Sequence, residues 1–193
     1  MDIRLAVGVP NGGSVKIETV RGLISLVGEL SAEISLNFLF HGGCYVHKNR
    51  ETLVKQAIEY DFTHLLFVDT DMYWQPGAVK QLLDAKKPII GANYNERRLP
   101  LTPTVKLMDK KGNVIAGNIP KKPFKAWAVA TGFMLIDLSI MKDIPKPWFF
   151  FDTKDGEFNM GEDIWFCEQV KKAGYDIWCE PTIEVLHIGD YLY

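Results

Sequence analysis

The stretch His64-Leu65-Leu66-Phe67-Val68-Asp69-Thr70-Asp71-Met72 decides the fold. Its run of four apolar residues, bounded by polar ones, is typical of a strand buried on both faces of a parallel sheet. Two aspartates follow where this strand would leave the sheet. Residues two apart point the same way in extended chain, so both carboxylates can converge on one cation. Hard divalent ions bind carboxylates and bridge them to substrate phosphates, so Asp-Thr-Asp indicates an anchor for a metal ion and a diphosphate.

A plainer interpretation of these two aspartates needs no ligand. Aspartate readily forms turns and caps helices, and Asp69 and Asp71 could do only that. The tripeptide alone favours the plainer interpretation, so the rest of the chain has to decide between the two.

Composition and length predict one globular domain. The chain has 193 residues, 47% of them hydrophobic and 24% charged, and a net charge of −2. These values are ordinary for a soluble protein and give no reason to expect nucleic acid or an anionic membrane as a partner. The cysteines Cys44, Cys167 and Cys179 form no Cys-x-x-Cys pattern, which argues against disulfides and zinc and for a reducing compartment. The chain shows no signal-peptide layout, and its longest apolar run, 126–136, is too short to span a membrane, so we expect a cytoplasmic location.

Strand and helix patterns alternate over the first ninety residues. The predicted strands are 3–9, 33–40, 64–68 and 88–91, and the predicted helices are 15–30, 49–60 and one that begins at Pro76. The helical apolar faces consist of Val20, Leu23, Ile24 and Val27, then Leu53, Val54, Ala57 and Ile58, then Val79, Leu82 and Leu83. This alternation predicts an α/β fold of three layers, α/β/α, around a mostly parallel, mixed sheet. No Gly-x-Gly-x-x-Gly follows the first strand, so a dinucleotide-binding fold is not indicated.

The second half has a different pattern but no linker and no internal repeat. We expect a helix over 161–173 that ends at Gly174, a turn at 110–113 and a mobile loop at 119–125. The predicted extended segments are 104–108, 113–116, 126–130, 132–137, 148–151, 175–178 and 183–188. A single domain over residues 1–193 is therefore predicted.

A second acidic group, Glu162 and Asp163, opens the last predicted helix. Asn159 and Glu162 have the spacing of a capping box, and acids in a first turn favour the helix dipole. A carboxylate at a helix start beside a cleft can instead accept a proton from an acceptor hydroxyl. Farther on, His187 stands alone at a strand end. A lone histidine is more often structural, but an imidazole can complete a carboxylate metal site that favours manganese over magnesium.

These features resemble, in their order, the GT-A-type glycosyltransferases, which use nucleotide sugars. The features are Asp-Thr-Asp after a buried strand, Thr131-Gly132-Phe133-Met134, Gly161-Glu162-Asp163 and a strand-borne His187. The chain looks like a compact, family-2-like member of the kind found in bacteria and their phages. The resemblance covers residues 5–188 and implies one GT-A-like domain, with a nucleotide-binding half (1–92) and an acceptor and catalytic half (93–193).

The resemblance also implies roles for individual residues. Asp69, Asp71 and His187 would bind a divalent metal ion, with Mn²⁺ favoured over Mg²⁺. Asp163 would be the catalytic base, and Glu162 would hydrogen-bond the acceptor or the sugar. The implied donor-binding residues are Val9, Pro10, Asn11, Asn49, Arg50, Asp69, Thr70, Tyr94, Arg97, Arg98, Thr131 and Gly132.

Several of these donor-binding residues have an ordinary explanation as well. Asn49 could be a helix N-cap. Arg97 and Arg98 suit phosphate through their bidentate forks, yet two loop arginines are otherwise solvated surface. Gly132 would let the backbone approach the sugar, or would only relieve packing.

The implied reaction moves a sugar from a nucleoside-diphosphate sugar, with a UDP-sugar favoured, to an acceptor hydroxyl. Inversion follows if Asp163 is the base, and retention stays open. The acceptor could be a glycan, a protein or a hydroxymethylated DNA base. The DNA alternative is based on the one cluster of basic residues in the sequence, since lysines can bind phosphates. Such lysines are by default solvated surface residues. The cluster consists of Lys110, Lys111, Lys121, Lys122 and Lys125.

Two other functions stay open. One is a nucleotidyltransferase, which would carry a Gly-rich basic loop after the first strand; residues 10–16 resemble such a loop only faintly. The other is a non-catalytic nucleotide- or carbohydrate-binding module.

A flexible lid over the donor could be formed by residues 119–125 or 190–193. Some aromatic residues could stack on a sugar, although we expect most of them to be core: Trp127, Trp148, Phe149, Phe150 and Trp165.

Overall fold

The structure, a computed structural model, describes residues 2–109, 111–112, 114–115 and 119–189. The α-helices are α1 (Ile17–Leu30), α2 (Val46–Glu59), α3 (Ala78–Asp84) and α4 (Glu162–Lys172), and a 3₁₀ helix spans Leu138–Lys142. The strands of the first half are β1 (Arg4–Asn11), β2 (Ser35–Gly42), β3 (His64–Val68), β4 (Met72–Trp74) and β5 (Ile89–Ala92). Those of the second half are β6 (Leu107–Met108), β7 (Val114–Ile115), β8 (Phe124–Ala126), β9 (Phe133–Asp137), β10 (Asp152–Lys154), β11 (Glu157–Met160), β12 (Ile177–Glu180) and β13 (Val185–His187).

A seven-stranded sheet forms the centre of the molecule, in the order β2-β1-β3-β9-β5-β12-β8. Strand β1 pairs in parallel with β2 and β3, and β12 pairs in parallel with β5. Strand β9 lies antiparallel between β3 and β5, and β8 pairs antiparallel with β12 at one edge. The sheet is therefore mixed but mostly parallel, as predicted. Strands β1, β2, β3, β5 and β12 share one direction, so their carboxyl ends meet at one edge.

Each face of the sheet is covered by a pair of helices. Because side chains alternate along a strand, Leu65 and Phe67 of β3 face one core and Leu66 and Val68 face the other. The first core includes apolar residues of α2 and α4, and the second includes those of α1 and α3. These four side chains are fully buried. The three-layer α/β/α prediction is confirmed.

The predicted apolar face of α1 is wrong in part. The helix buries Thr19, Leu23, Leu26 and Leu30, whereas Ile24 and Val27 are exposed. The segment carries apolar residues on two adjacent faces of the helix. The face that packs over β4 is the one that is buried in the core. Periodicity alone cannot choose between two such faces.

Residues 148–151, predicted as a strand, form no strand. The backbone N–H groups of Trp148 and Phe149 instead donate to the Glu51 carboxylate, at 3.0 and 3.3 Å. Both aromatic side chains are buried, as expected for core residues. The Glu51 carboxylate thus accepts the backbone hydrogen bonds that a neighbouring strand would accept if these residues formed the predicted strand.

Other differences concern element boundaries. The predicted strand 126–130 lies earlier, because Phe124–Ala126 pairs with β12, and this pairing includes part of the segment predicted as a mobile loop. Pro76 precedes α3, whose N-cap is Gly77. The predicted turn at 110–113 and the possible lid at 190–193 fall wholly or partly outside the described residues.

Within the described part of the chain, no helix combines the length and apolar character needed to cross a membrane.

Candidate functional site

The Asp69-Thr70-Asp71 loop leaves β3 at the edge where the carboxyl ends of the parallel strands meet. The Asp69 N–H donates to the Gly132 carbonyl at 3.0 Å, and the Lys16 N–H donates to the Thr70 carbonyl at 2.8 Å. The buried hydroxyl of Thr19 lies 2.8 Å from the Met72 carbonyl and 3.1 Å from that of Thr70. The backbone of the acidic loop is therefore fixed from α1 on one side and from β9 on the other.

Asp71 lies between a histidine and an arginine. Strand β13 pairs antiparallel with β4, and this register puts His187 opposite Met72. Nε2 of His187 is 3.4 Å from Oδ1 of Asp71, and Nη1 of Arg97 is 2.8 Å from Oδ2. Burial opposes ionisation of Asp71, but the hydrogen bond and charge of His187 and the charge of Arg97 outweigh it, so its pKa lies below the usual value.

Asp69 has a different partner. Arg50 of α2 is buried between two acids: its Nη2 is 2.8 Å from Oδ1 of Asp69, and its Nε is 3.3 Å from Oε1 of Glu162. Its guanidinium carbon also lies 5.2 Å from the centre of the Phe67 ring. Burial opposes the charge on Arg50, but the two acids outweigh it and the pKa of Arg50 is raised. Arg50 therefore links the acidic loop to the start of α4.

Gly132, directly before β9, closes the site on that side. Its N–H donates to the Tyr94 hydroxyl at 3.0 Å. A Cβ at this position would collide with that hydroxyl and would lie 2.9 Å from Oδ2 of Asp69, so the position excludes side chains. Burial and the charge of Asp69 raise the pKa of Tyr94 well above its usual value, so Tyr94 stays neutral.

Asp163 lies in the first turn of α4 and is mostly enclosed. Burial, together with the neighbouring charge of Glu162, raises the pKa of its carboxyl. Its Oδ1 accepts the Ile164 N–H at 2.8 Å. The capping box that Asn159 and Glu162 suggested is absent from this turn: the N-cap is Gly161, and the Asn159 amide bonds Asp152 instead.

Asn49 does not cap α2, because Tyr45 is the N-cap residue. The Asn49 amide donates to the carbonyls of Gly43 and Asn11, at 3.0 and 3.4 Å, and so ties the exits of β1 and β2 together. Val9 lies in the core and Pro10 is buried beside it, while the Asn11 side chain accepts the Gly13 N–H at 3.2 Å.

Of the remaining predicted site residues, one is buried at the site and one lies on the surface. Thr131 is buried beside Gly132. Arg98 is exposed and pairs with Glu96 at 2.7 Å, away from the acids that Arg97 and Arg50 contact. Sequence reasoning missed the Asn95 carbonyl, which lies 3.2 Å from Nδ1 of His187. A backbone group carries no residue-type signal, so no sequence pattern could have revealed it.

Asp71 and His187 could hold a metal ion only in part, and Asp69, the third predicted ligand, contacts Arg50. In the described residues, no group of three or more His, Cys, Asp or Glu side chains is arranged to hold one. The Asn95 carbonyl can accept from Nδ1–H of His187, which leaves Nε2 facing Asp71, and a metal ion bound at Nε2 would replace its hydrogen bond to that carboxylate. One carboxylate and one imidazole suit Mn²⁺ when substrate phosphates and water complete the shell. The donor set therefore fits a metal ion that arrives together with a diphosphate.

Comparisons with known proteins support the fold. No family model and no curated protein matches the chain. The crystal structure of A197 from STIV matches with a TM-score of 0.67 and 18% identity, over 97% of this chain and 87% of that one. Residues 1–349 of S. aureus TarS match with a TM-score of 0.51 and 13% identity, over 93% of this chain and 60% of that one. At these identities the likeness is one of fold alone, and that fold is a single mixed α/β domain.

Proposed function

We propose that the protein is a metal-dependent glycosyltransferase. It moves a sugar from a nucleoside-diphosphate sugar, with a UDP-sugar favoured, to an acceptor hydroxyl. One observation carries the proposal: acids from β3 and α4 gather at the carboxyl edge of the sheet, where ligands of open α/β folds bind. Arg50 bridges Asp69 and Glu162 there, and Asp71 lies against His187 and Arg97.

Asp163 is the catalytic base in this proposal. Its raised pKa makes it a stronger base than an exposed aspartate. The acceptor hydroxyl gives its proton to Asp163 as its oxygen bonds the anomeric carbon. The bond from that carbon to the diphosphate breaks at the same time, and the nucleoside diphosphate leaves with the electron pair. One carboxylate suffices for this displacement, so inversion is favoured.

The leaving group meets positive charge on the other side of the site. Asp71 and His187 would hold Mn²⁺, which supplies Lewis-acid stabilisation of the diphosphate when bound. Arg97 already contacts Asp71 and is half exposed, so its guanidinium can turn to a phosphate. Gly132 lets the Tyr94 hydroxyl and the Asp69 carboxylate pack against the backbone, and so helps to hold Asp69 in position.

A thermal-shift panel tests the proposal. Nucleoside diphosphates and their sugars are added with Mn²⁺, Mg²⁺ or a chelator to the wild type and to Asp71→Ala. A ligand specific to the folded state, at a hundredfold excess over its Kd, adds about 2.7 kcal/mol to stability. We expect one nucleotide to raise Tm only with metal, and metal alone to have little effect, because the two protein ligands need the diphosphate.

Asp84→Ala is the matched control, since Asp84 is an exposed acid at the end of α3. It should keep the nucleotide-dependent shift that Asp71→Ala loses. A flat panel with folded wild-type protein would overturn the proposal, as would a shift that Asp71→Ala retains in full. Release of pyrophosphate rather than a nucleoside diphosphate would identify a nucleotidyltransferase.

A further inference from the structure

Four aromatic side chains form a continuous row on the surface. Ring centres lie 5.9 Å apart for Tyr45 and His47, 5.0 Å for His47 and Phe151, and 6.4 Å for Phe151 and Phe158. Tyr45 and Phe158 are 68% and 69% exposed, and Phe151 is 36% exposed. Such large apolar rings are usually buried, so an exposed set that is contiguous indicates a binding surface. We call it the aromatic row.

The aromatic row leads to the acids of the candidate site. His47 lies in the first turn of α2, one turn before Arg50, which bonds Glu162. At the other end, the Phe158 ring comes within 4.0 Å of where a Cβ of Gly161 would stand. Gly161 directly precedes Glu162 and Asp163. A ligand lying along the row would thus reach the carboxylate proposed as the base.

Lysine ammonium groups cover two partly exposed tryptophans of this chain. Lys171 lies 3.8 Å from the ring centre of Trp127, and Lys87 lies 4.0 Å from that of Trp178. In the described part of the chain no such cation covers a ring of the aromatic row. The largely exposed rings of Tyr45 and Phe158 are therefore the members of the row that a ligand can stack on.

Acidic residues outnumber basic ones around the row. The β10–β11 hairpin carries Asp152, Asp155 and Glu157, and the acids of α4 add further negative charge, against Lys154 of the hairpin and Lys48 beside His47. A polyanion such as single-stranded nucleic acid, which also stacks on aromatic rings, would be repelled here. A neutral sugar has an apolar C–H face and carries no charge, so it fits rings set among carboxylates.

We infer that the aromatic row binds the acceptor, and that the acceptor is a neutral glycan. The assignment of this glycan as the acceptor rests on the proposed transferase function. The binding surface itself rests on the rings, their exposure and their charge environment.

Saturation-transfer NMR on the full chain, without donor or metal, tests the inference. The probes are maltotriose, cellotriose, mannotriose and chitotriose at millimolar concentration, with an oligothymidylate as the anionic alternative. We expect saturation of the sugar ring protons with the wild type and with Phe158→Trp, and its loss in Phe158→Leu. Leucine keeps the apolar surface but removes the ring, so the comparison separates stacking from general hydrophobic contact.

Ile24→Ala is the matched control, because Ile24 is an equally exposed apolar residue on α1, with 67% of its surface accessible. It should bind the sugars as the wild type does. Absence of saturation with all four sugars, equal saturation in Phe158→Leu, or binding of the oligothymidylate alone would each overturn the inference.

The nucleotide thermal shift of the wild type separates the two proposals. Sugar binding without any nucleotide shift would overturn the transferase function and leave a carbohydrate-binding surface. A nucleotide shift without sugar binding would overturn the glycan inference alone.

Discussion

At the scale of single residues, the site contains two arginine–aspartate pairs of equal length and unequal burial. Arg50–Asp69 and Arg97–Asp71 both measure 2.8 Å, but the Arg50 side chain is 3% exposed and that of Arg97 is 53% exposed. Removing one partner of a buried pair costs about 3–5 kcal/mol, because it leaves an uncompensated charge. An exposed pair is worth about 0–1 kcal/mol. We therefore expect Arg50→Met to destabilise the fold strongly and Arg97→Met to change it little.

Urea unfolding of the two variants measures this difference. Methionine keeps much of the length of arginine, so the comparison removes charge with little loss of packing. Equal losses of free energy in the two variants would contradict the prediction. In that case the link from Arg50 to Asp69 and Glu162 would not be what holds α4 to the acidic loop.

Asp163 is expected to reduce stability at neutral pH. Because its folded-state pKa is raised, the folded protein holds a proton that the unfolded chain has already lost. Wild-type stability therefore falls as pH rises from the ordinary aspartate pKa of about 3.9 through the raised value. In Asp163→Asn this loss is absent, and the amide oxygen can still accept the Ile164 N–H.

We expect Asp163→Asn to be more stable than the wild type at pH 7 and to converge with it below the ordinary aspartate pKa. Its transferase activity should fall by about 10²–10⁴-fold, the usual contribution of a general base. Urea unfolding across a pH series, together with a transfer assay, checks both parts. A variant less stable than the wild type at neutral pH would show that ionised Asp163 supports the fold.

At the scale of elements, the strongest sequence signals predicted the fold well. Strand β3 and its aspartates, the strand and helix alternation and α4 all form where the pattern indicated. The sequence patterns failed where the local structure depends on a hydrogen-bond partner far away in the chain. Glu51 satisfies the backbone at 148–149, and Arg50 bonds Glu162, 112 positions away. Local spacing contains no information about such partners.

Two glycines of helix α1 allow the effect of side-chain packing on stability to be separated from the effect of helix propensity. A Cβ on Gly22 would lie 2.6 Å from the Trp74 ring of β4, whereas a Cβ on Gly28 would have no atom within 4 Å. Alanine is favoured over glycine in a helix by about 1 kcal/mol. We expect Gly28→Ala to gain about 0.5–1 kcal/mol, and Gly22→Ala to lose stability despite the same gain in propensity.

Thermal unfolding of these two variants gives the comparison. Because α1 also holds the acidic loop through Thr19 and Lys16, Gly22→Ala should weaken nucleotide binding as well, while Gly28→Ala should not. Stabilisation by both substitutions would mean that α1 does not pack closely on Trp74.

At the scale of the whole molecule, both halves of the chain build the site. The first supplies Arg50, Asp69 and Asp71, and the second supplies Asp163 and His187. The division into a nucleotide-binding half and an acceptor half stays a prediction. The site depends on pairing between the halves, of β4 with β13 and of β3 with β9, so it cannot form before the sheet does.

The reactivity of the three cysteines tests how closely α4 and β12 are packed in the core. Cys44 is exposed, whereas Cys167 of α4 and Cys179 of β12 are buried. Burial raises the pKa of both buried thiols to about 12, so almost none of the reactive thiolate forms at neutral pH. A thiol reagent should therefore modify Cys44 alone in the native protein and all three cysteines in urea, and Cys44→Ser should abolish the fast reaction. Slow labelling of Cys167 should track opening of the layer that carries Asp163. Fast labelling of Cys167 in the native state would contradict the buried position of α4 on which the proposed base depends.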